Sequence, residues 1–235
     1  MFKEVFVEHL ETLIPKNNAR ILEVGSGRSV AIVDLLKRRP DISYTGIEPY
    51  KKDYEYAQKA IGHLPNVRLV NSLAYDVGEA ASYDLCFSLS VLEHVKQLEV
   101  FLAESVKAVR SDGYIVHRYD LGHSLYPSSL KERFQVFLGN YLPSLLPEHK
   151  FVRHLDPDLV AALLTKHGAQ VQQVTFHQMP EHKHLGKHLK DTPENRSLMS
   201  ELAEWEFKIS PSLSDLPKPL REKLFPAIAV WAQKR

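Results

Sequence analysis

The stretch ILEVGSGRS (residues 21–29), followed by TGIEP (residues 45–49), decides the fold of this chain. An apolar strand runs directly into a glycine-rich turn, and a carboxylate closes the next apolar strand. Glycine lets the backbone turn sharply and approach a ligand closely, because no Cβ stands in the way. A carboxylate about 20 residues after such a turn is placed to accept hydrogen bonds from two ribose hydroxyls. The spacing Glu23-x-Gly25-x-Gly27 lacks the third glycine of the dinucleotide fingerprint, the one that packs a helix close beneath a pyrophosphate. A ligand with a ribose and no phosphates suits this turn better.

Working outward, Arg20–Val24 reads as the first strand, 43–48 as the second, VRLVNS (67–72) as the third and YDLCFSL (83–89) as the fourth. Helices are expected over about 28–39, 51–62 and 91–109, the last ending before the turn pair Asp112-Gly113. YIVHRYDL (114–121) is a fifth strand. Strands alternating with helices at this spacing give a parallel sheet covered on both faces. A helix at about 156–167 has an Asp156 N-cap, Pro157 at its first position and Gly168 past its end. Strands follow at 171–177 and 227–233. An amphipathic helix over 2–14 precedes the first strand, and the proline-rich run 211–219 is expected to be extended.

Three features in order resemble the class I S-adenosylmethionine-dependent methyltransferases: the acidic-x-Gly-x-Gly turn, the acidic end of the second strand, and YDLCFSLSVLEHV (83–95). The last is similar to the fourth-strand motif of the subgroup acting on small molecules. The resemblance spans about residues 19–121. It implies an α/β, Rossmann-like, doubly wound, seven-stranded sheet, mostly parallel with an antiparallel last strand, and helical insertions at its carboxyl edge. Residues 1–121 would form an N-terminal helix and the cofactor-binding half. Residues 122–235 would complete the domain, with lid insertions at about 122–155 and 178–225. Both insertions follow the carboxyl ends of parallel strands, where open α/β sheets bind their ligands.

Composition narrows the function. A formal net charge of +1 in 235 residues offers no general pull toward nucleic acid or an anionic membrane, so neither is expected as partner. The single cysteine, Cys86, excludes an internal disulfide and suits a reducing cytoplasm, the expected location. It sits in an apolar strand and reads as a buried, inert thiol.

The resemblance places S-adenosylmethionine at Glu23, Gly25, Gly27, Glu48, Pro49, Asn71, Ser72, Ser88 and Leu89. Glu48 would take both ribose hydroxyls, and Glu23 would organise the amino-acid end. Asn71 and Ser72 would meet the adenine edge, and Ser88 and Leu89 would offer backbone carbonyls. On the acceptor side, His123 lies beyond Gly122 in a loop and is the candidate general base, with Asp120 as its orienter or a substrate ligand. His94, His117 and Tyr126 are candidate substrate contacts. His117 reads alternatively as a satisfied core histidine.

Ser90-Val91-Leu92-Glu93 reads as a capping box, with Ser90 capping a helix and Glu93 reaching back to it. A helical lid is expected around 130–138, with Tyr126, Phe134, Phe137, Tyr141, His149 and Phe151 in or near it. Asp120, His117 and His123 are the set closest to a divalent-metal triad, yet no metal is assigned. The histidine-rich run 177–188 reads as a polar loop.

The leading expectation is transfer of a methyl group to a small or carbohydrate-like acceptor, at oxygen. Alternatives are a nucleic-acid or protein acceptor, and a non-catalytic module that keeps the cofactor fold. A nicotinamide-dependent enzyme is disfavoured by the missing third glycine.

Overall fold

Apolar strands buried on both faces need helices on both sides, and the chain supplies them. The computed structural model describes residues 2–29, 31–73, 80–147 and 150–235. His149 therefore lies outside the described residues. The strands are β1 Arg20–Val24, β2 Ser43–Ile47, β3 Val67–Val70, β4 Tyr83–Leu89, β5 Val109–Asp120, β6 Ala169–His177 and β7 Ala227–Lys234. They form one seven-stranded sheet in the order β3-β2-β1-β4-β5-β7-β6. β7 runs antiparallel to both of its neighbours and the other ladders are parallel. The strand order reverses between β1 and β4, which opens a crevice at their carboxyl ends.

Helices α1 (Phe2–Glu11), α2 (Val33–Arg38) and α3 (Lys51–Ile61) belong to the first half. α4 (Leu98–Ala108), α5 (Gly122–Leu125), α6 (Leu130–Tyr141), α7 (Pro157–Lys166), α8 (Pro180–His188), α9 (Pro193–Ile209) and α10 (Lys218–Leu224) follow. One face of the sheet packs Phe101, Leu102, Val160 and Leu164 against Leu22, Ile115 and Val230. The other packs Phe6, Leu10, Leu35 and Leu36 against Ile21, Phe87 and Trp231. Cys86 is buried in β4, and desolvation pushes its thiol up to about 12, so it stays protonated and inert.

Several local readings change under tertiary packing. The helix expected from 91 begins only at Leu98, and Leu92–His94 is a single 3-10 turn. Ser90 takes a left-handed φ of 61° and donates its N–H to the Arg118 carbonyl (2.7 Å), so it caps no helix. Asp112-Gly113 does make a turn, but as an irregularity inside β5: Tyr83 pairs with Val109 and Leu85 with Tyr114. The run 180–188 is a helix opened by Pro180, not a loop. The run 211–219, expected to be extended, lies largely in a 3-10 segment (Ser210–Asp215) and the start of α10. In α6 the apolar positions face outward, with Leu130, Phe134, Phe137 and Tyr141 exposed. No helix among the described residues is long and apolar enough to cross a membrane.

α7 follows its sequence signals. Asp156 accepts the Asp158 N–H at 2.9 Å, Pro157 opens the helix, and Gly168 leaves it at φ 94°. Lys218 also donates to Asp156 (2.6 Å). Asp156→Ala should cost about 1 kcal/mol, a melting decrease of roughly 2–4 °C. Asp156→Asn keeps the cap and loses the charge, so it should fall less. Equal losses in the two variants would assign the effect to the ion pair.

Candidate active site

At the carboxyl edge of β1, β2 and β4 lies a cavity of about 870 Å³, lined by Glu23, Gly25, Gly27, Glu48, Pro49, Leu89 and His94, among others. Its floor is the turn after β1. The N–H groups of Gly25 and Ser26 both donate to the Ile47 carbonyl, at 2.8 and 3.0 Å. This pins the turn to the end of β2. Gly25 has φ 74°, and a Cβ there would stand 2.5 Å from Val91 Cγ2. Both conformation and space demand glycine.

Glu48 is the best-organised polar group of the cavity. Its Oε2 accepts the Gly27 N–H and its Oε1 the Tyr50 N–H, each at 2.8 Å. Each oxygen keeps acceptor capacity toward the cavity, which fits a pair of ribose hydroxyls. Burial raises its pKa while the two amides oppose the rise. The side chain of Asn71 donates to the carbonyls of Glu48 (2.7 Å) and Pro49 (3.2 Å), so it clamps the end of β2. Ser72 bonds the Leu73 carbonyl, and Leu73 rather than Asn71 or Ser72 lines the cavity.

Glu23 is buried, and its Oε2 accepts the Tyr44 hydroxyl at 2.6 Å. Burial lifts its pKa to about 7 against the pull of that hydrogen bond and of Lys3. Tyr44 reaches Glu23 across Gly46, where a Cβ would meet the Tyr44 hydroxyl at 2.8 Å. Lys3, on α1, also lines the cavity, and burial lowers its pKa. The sequence reading missed both Lys3 and Tyr44. The glycine at 46 was the available signal for Tyr44. Lys3 carried none, because only the docking of α1 brings it to the cavity.

The fourth strand delivers Leu89 to the cavity and keeps Ser88 beneath the surface. Ser88 Oγ lies 2.9 Å from His117 Nδ1, and both residues are fully buried. Desolvation holds His117 down to about 3, so it is a neutral core histidine beside Phe101 and does not line the cavity. Tyr126 also stands apart: its hydroxyl donates to the Lys223 carbonyl (2.7 Å) and it does not line the cavity.

The 3-10 turn after β4 carries Glu93 and His94, and His94 lines the cavity. Glu93 is fully buried, and its Oε1 accepts the Asp120 N–H (3.1 Å), not an amide at residue 90. The capping box is thus replaced by a tie from the 3-10 turn to the end of β5. Glu93 Oε2 has no hydrogen-bond partner among the described residues. His94 Nδ1 lies 2.9 Å from the Phe151 carbonyl. A carbonyl only accepts, so Nδ1 carries a proton and Nε2 is the nitrogen left open. The His94 and His123 rings stand 5.9 Å apart. His123 lines a separate cavity of about 150 Å³ with Glu132, Gln135, Val136 and Val152. Partial desolvation holds its pKa below the ordinary value, although the residue is exposed at its outer side.

Asp120 does not touch His123 through a hydrogen bond. Its Oδ1 accepts the Gly122 N–H (2.7 Å) and its Oδ2 pairs with Lys183 (2.6 Å), contacts that hold its carboxyl below the usual range. Asp120, His117 and His123 are therefore not a triad. The donors that do converge are Glu93, His94 and His123, one ligand atom from each lying within 4.8 Å of the others.

Two outcomes follow from this geometry. Gly25→Ala should lose the cavity's ligand affinity and lower the melting temperature, because the side chain collides with Val91 in a left-handed turn. Glu23 binds its proton more tightly folded (about 7) than unfolded (4.5). Its contribution to stability is complete below pH 4.5 and is lost as pH rises through 7, by up to about 3 kcal/mol. Unliganded Glu23→Gln should lack that loss, so melting curves of variant and wild type should diverge between pH 5 and 7.5.

A family profile described as "methyltransferase domain" matches residues 22–117. A ribosomal RNA small subunit methyltransferase G from Thermoanaerobacter sp. (strain X514) is 27% identical over 103 residues, 43% of each chain. The present chain thus spans under half the length of that relative. Among solved structures, a SAM-dependent methyltransferase from Archaeoglobus fulgidus superposes with a TM-score of 0.60 at 16% identity, covering 98% of this chain and 92% of that one. Geranyl diphosphate C-methyltransferase from Streptomyces coelicolor A3(2) was solved with Mg2+, geranyl diphosphate and S-adenosyl-L-homocysteine. It gives a TM-score of 0.64 at 10% identity, covering 98% and 77%. These likenesses carry the fold, and the profile spans both the glycine turn and the VLEHV segment. With its seven-stranded sheet, its Gly25–Gly27 turn and Glu48 at the end of β2, the chain has the fold of the S-adenosylmethionine-dependent methyltransferases, and the methyltransferase-domain profile matches residues 22–117 of it.

Proposed function

We propose that the protein transfers a methyl group from S-adenosylmethionine to an oxygen of a small or carbohydrate-like acceptor. The observation that carries the reading is Glu48, a carboxylate oriented by two backbone amides with one acceptor site per oxygen left toward the cavity. The cofactor supplies an electrophilic methyl on a good leaving group, so the protein has to align the acceptor and see its proton removed.

Each residue then has a part. Glu48 holds the ribose hydroxyls, and the Gly25–Gly27 turn lies against the methionine half. Glu23 and Lys3 offer opposite charges to the ammonium and carboxylate of the amino-acid end. His94, its Nδ1–H spent on Phe151, presents a basic Nε2 at the cavity edge, where the acceptor proton is lost. His123, beside it, faces the acceptor from the small cavity under α6. Asp120 works from behind, holding Lys183 and the Gly122 turn in place.

The ribosomal RNA methyltransferases among the relatives favour a second reading, an RNA acceptor. Overall charge speaks against it, since RNA-binding surfaces owe their affinity to cationic contacts with phosphate, and this chain is balanced at +1.

S-adenosylhomocysteine at 100 times its dissociation constant should stabilise the wild type by about 2.7 kcal/mol, or roughly 5–10 °C for a chain of this size. Glu48→Ala should abolish the shift. A wild type that shows no shift would refute the cofactor reading. His94→Phe should keep the shift while methyl transfer to a hydroxyl acceptor falls by about 10²–10⁴. Methylation of ribosomal RNA, with none of hydroxylated small molecules, would establish the second reading instead.

A further inference from the structure

The mechanism above leaves one buried group unused. Glu93 Oε2 is fully enclosed and without a hydrogen-bond partner among the described residues, while Oε1 is spent on the Asp120 amide. An open carboxylate oxygen in the interior costs free energy unless something completes it. Beside it stand His94 and His123, one ligand atom of each within 4.8 Å of a Glu93 oxygen and of one another. His94 is already oriented as a metal-binding imidazole is, with one ring N–H donated to a backbone carbonyl and the other nitrogen open.

We propose that Glu93, His94 and His123 form a binding site for a divalent transition-metal ion on the wall between the cofactor cavity and the small cavity under α6. Two imidazoles and one carboxylate suit Zn2+, Fe2+, Mn2+ or Co2+ better than the all-oxygen cations. Three protein ligands leave coordination positions open, the arrangement of sites that bind a substrate. Donor atoms within 4.8 Å of one another need only a small movement, at most, to close on one ion with bonds about 2.0–2.2 Å long. His123 is exposed on the four-residue α5, so it is the member free to close. His94 lines one cavity and His123 the other, so an ion held between them faces the acceptor. Its open positions take oxygen donors of the acceptor, such as neighbouring hydroxyls. With the ion bound, His94 Nε2 ligates it and no longer takes the proton itself: a coordinated hydroxyl becomes more acidic and gives its proton to water. This acceptor role rests on the methyl-transfer reading. The binding of the ion does not.

The test titrates the metal-free full chain with Co2+, without cofactor or acceptor, and follows the visible absorption of Co2+ bound to nitrogen. The exposed histidine pair His184 and His188 on α8, with rings 4.5 Å apart, is the competing site. Saturation at one ion per chain is expected. The apparent dissociation constant should rise at least tenfold in His123→Ala and in His94→Ala and stay unchanged in His188→Ala. Variants are compared only if their melting temperatures show them folded, and the exposed His123→Ala secures that arm. His123→Ala should also keep its melting shift with S-adenosylhomocysteine, which separates loss of the metal from loss of the cofactor site. No visible band, a band that survives in His123→Ala, or one lost in His188→Ala would overturn the proposal.

Discussion

The hydrogen bonds that join the turn after β1 to the end of β2 are the constraint on which the rest depends. Ile47 offers one carbonyl to two successive amides, Gly25 and Ser26, and Glu48, the residue after β2, returns a carboxylate to Gly27. Two adjacent parallel strands are thereby locked at their carboxyl ends, beyond their last ladder pair of Val24 and Ile47. The lock sets the width of the crevice and the direction in which Glu48 points. Asn71, just past the end of β3, adds to it by donating to the Glu48 and Pro49 carbonyls. The edge of the sheet is held from both sides before any ligand arrives.

Around this lock the protein buries several ionisable side chains. Glu23, Glu93 and Arg118 are all within the interior, and none of the three is neutralised by a close ion pair among the described salt bridges. Arg118 is held by Ser90 (3.3 Å), Gln178 (2.5 Å) and the ring of Phe2 (5.1 Å). Glu23 has Tyr44, and Glu93 has one amide. Burying charges with so few partners is unfavourable in itself. Such groups persist where they serve binding or chemistry, and all three flank the same cavity or its neighbouring turn. Helix α1 completes the arrangement, packing Phe2 and Phe6 beside Arg118 and His177 while bringing Lys3 to the cavity.

Legibility in the sequence divided along a physical line. Elements governed by neighbours within a few residues were readable. The strand-turn pattern at 20–27, the Asp156-Pro157 start of α7 and the closing Gly168 depend on local backbone geometry and occur where expected. The segment 90–94 failed for the opposite reason. Its capping-box spacing is a local signal, but the buried amide of Asp120 competes for Glu93 and the Arg118 carbonyl claims the Ser90 N–H. Long-range partners won, and the helix began seven residues later than its local signal. The proline-rich run 211–219 misled similarly, since Pro217 opens α10 instead of extending the chain.

The sequence by itself determined the alternating fold, the glycine turn and the carboxylate at the end of β2, because each is written within one strand and the loop that follows it. Tertiary structure alone decided which polar groups meet across that edge. His117 and His123 are six residues apart, yet one lies under the sheet against Ser88 while the other stands beside His94. Asp120, close to His123 in sequence, is taken by Lys183 from 63 residues away. A side chain's partner depends on which elements pack over it, and that packing is set by the whole hydrophobic core, which no short stretch of sequence encodes.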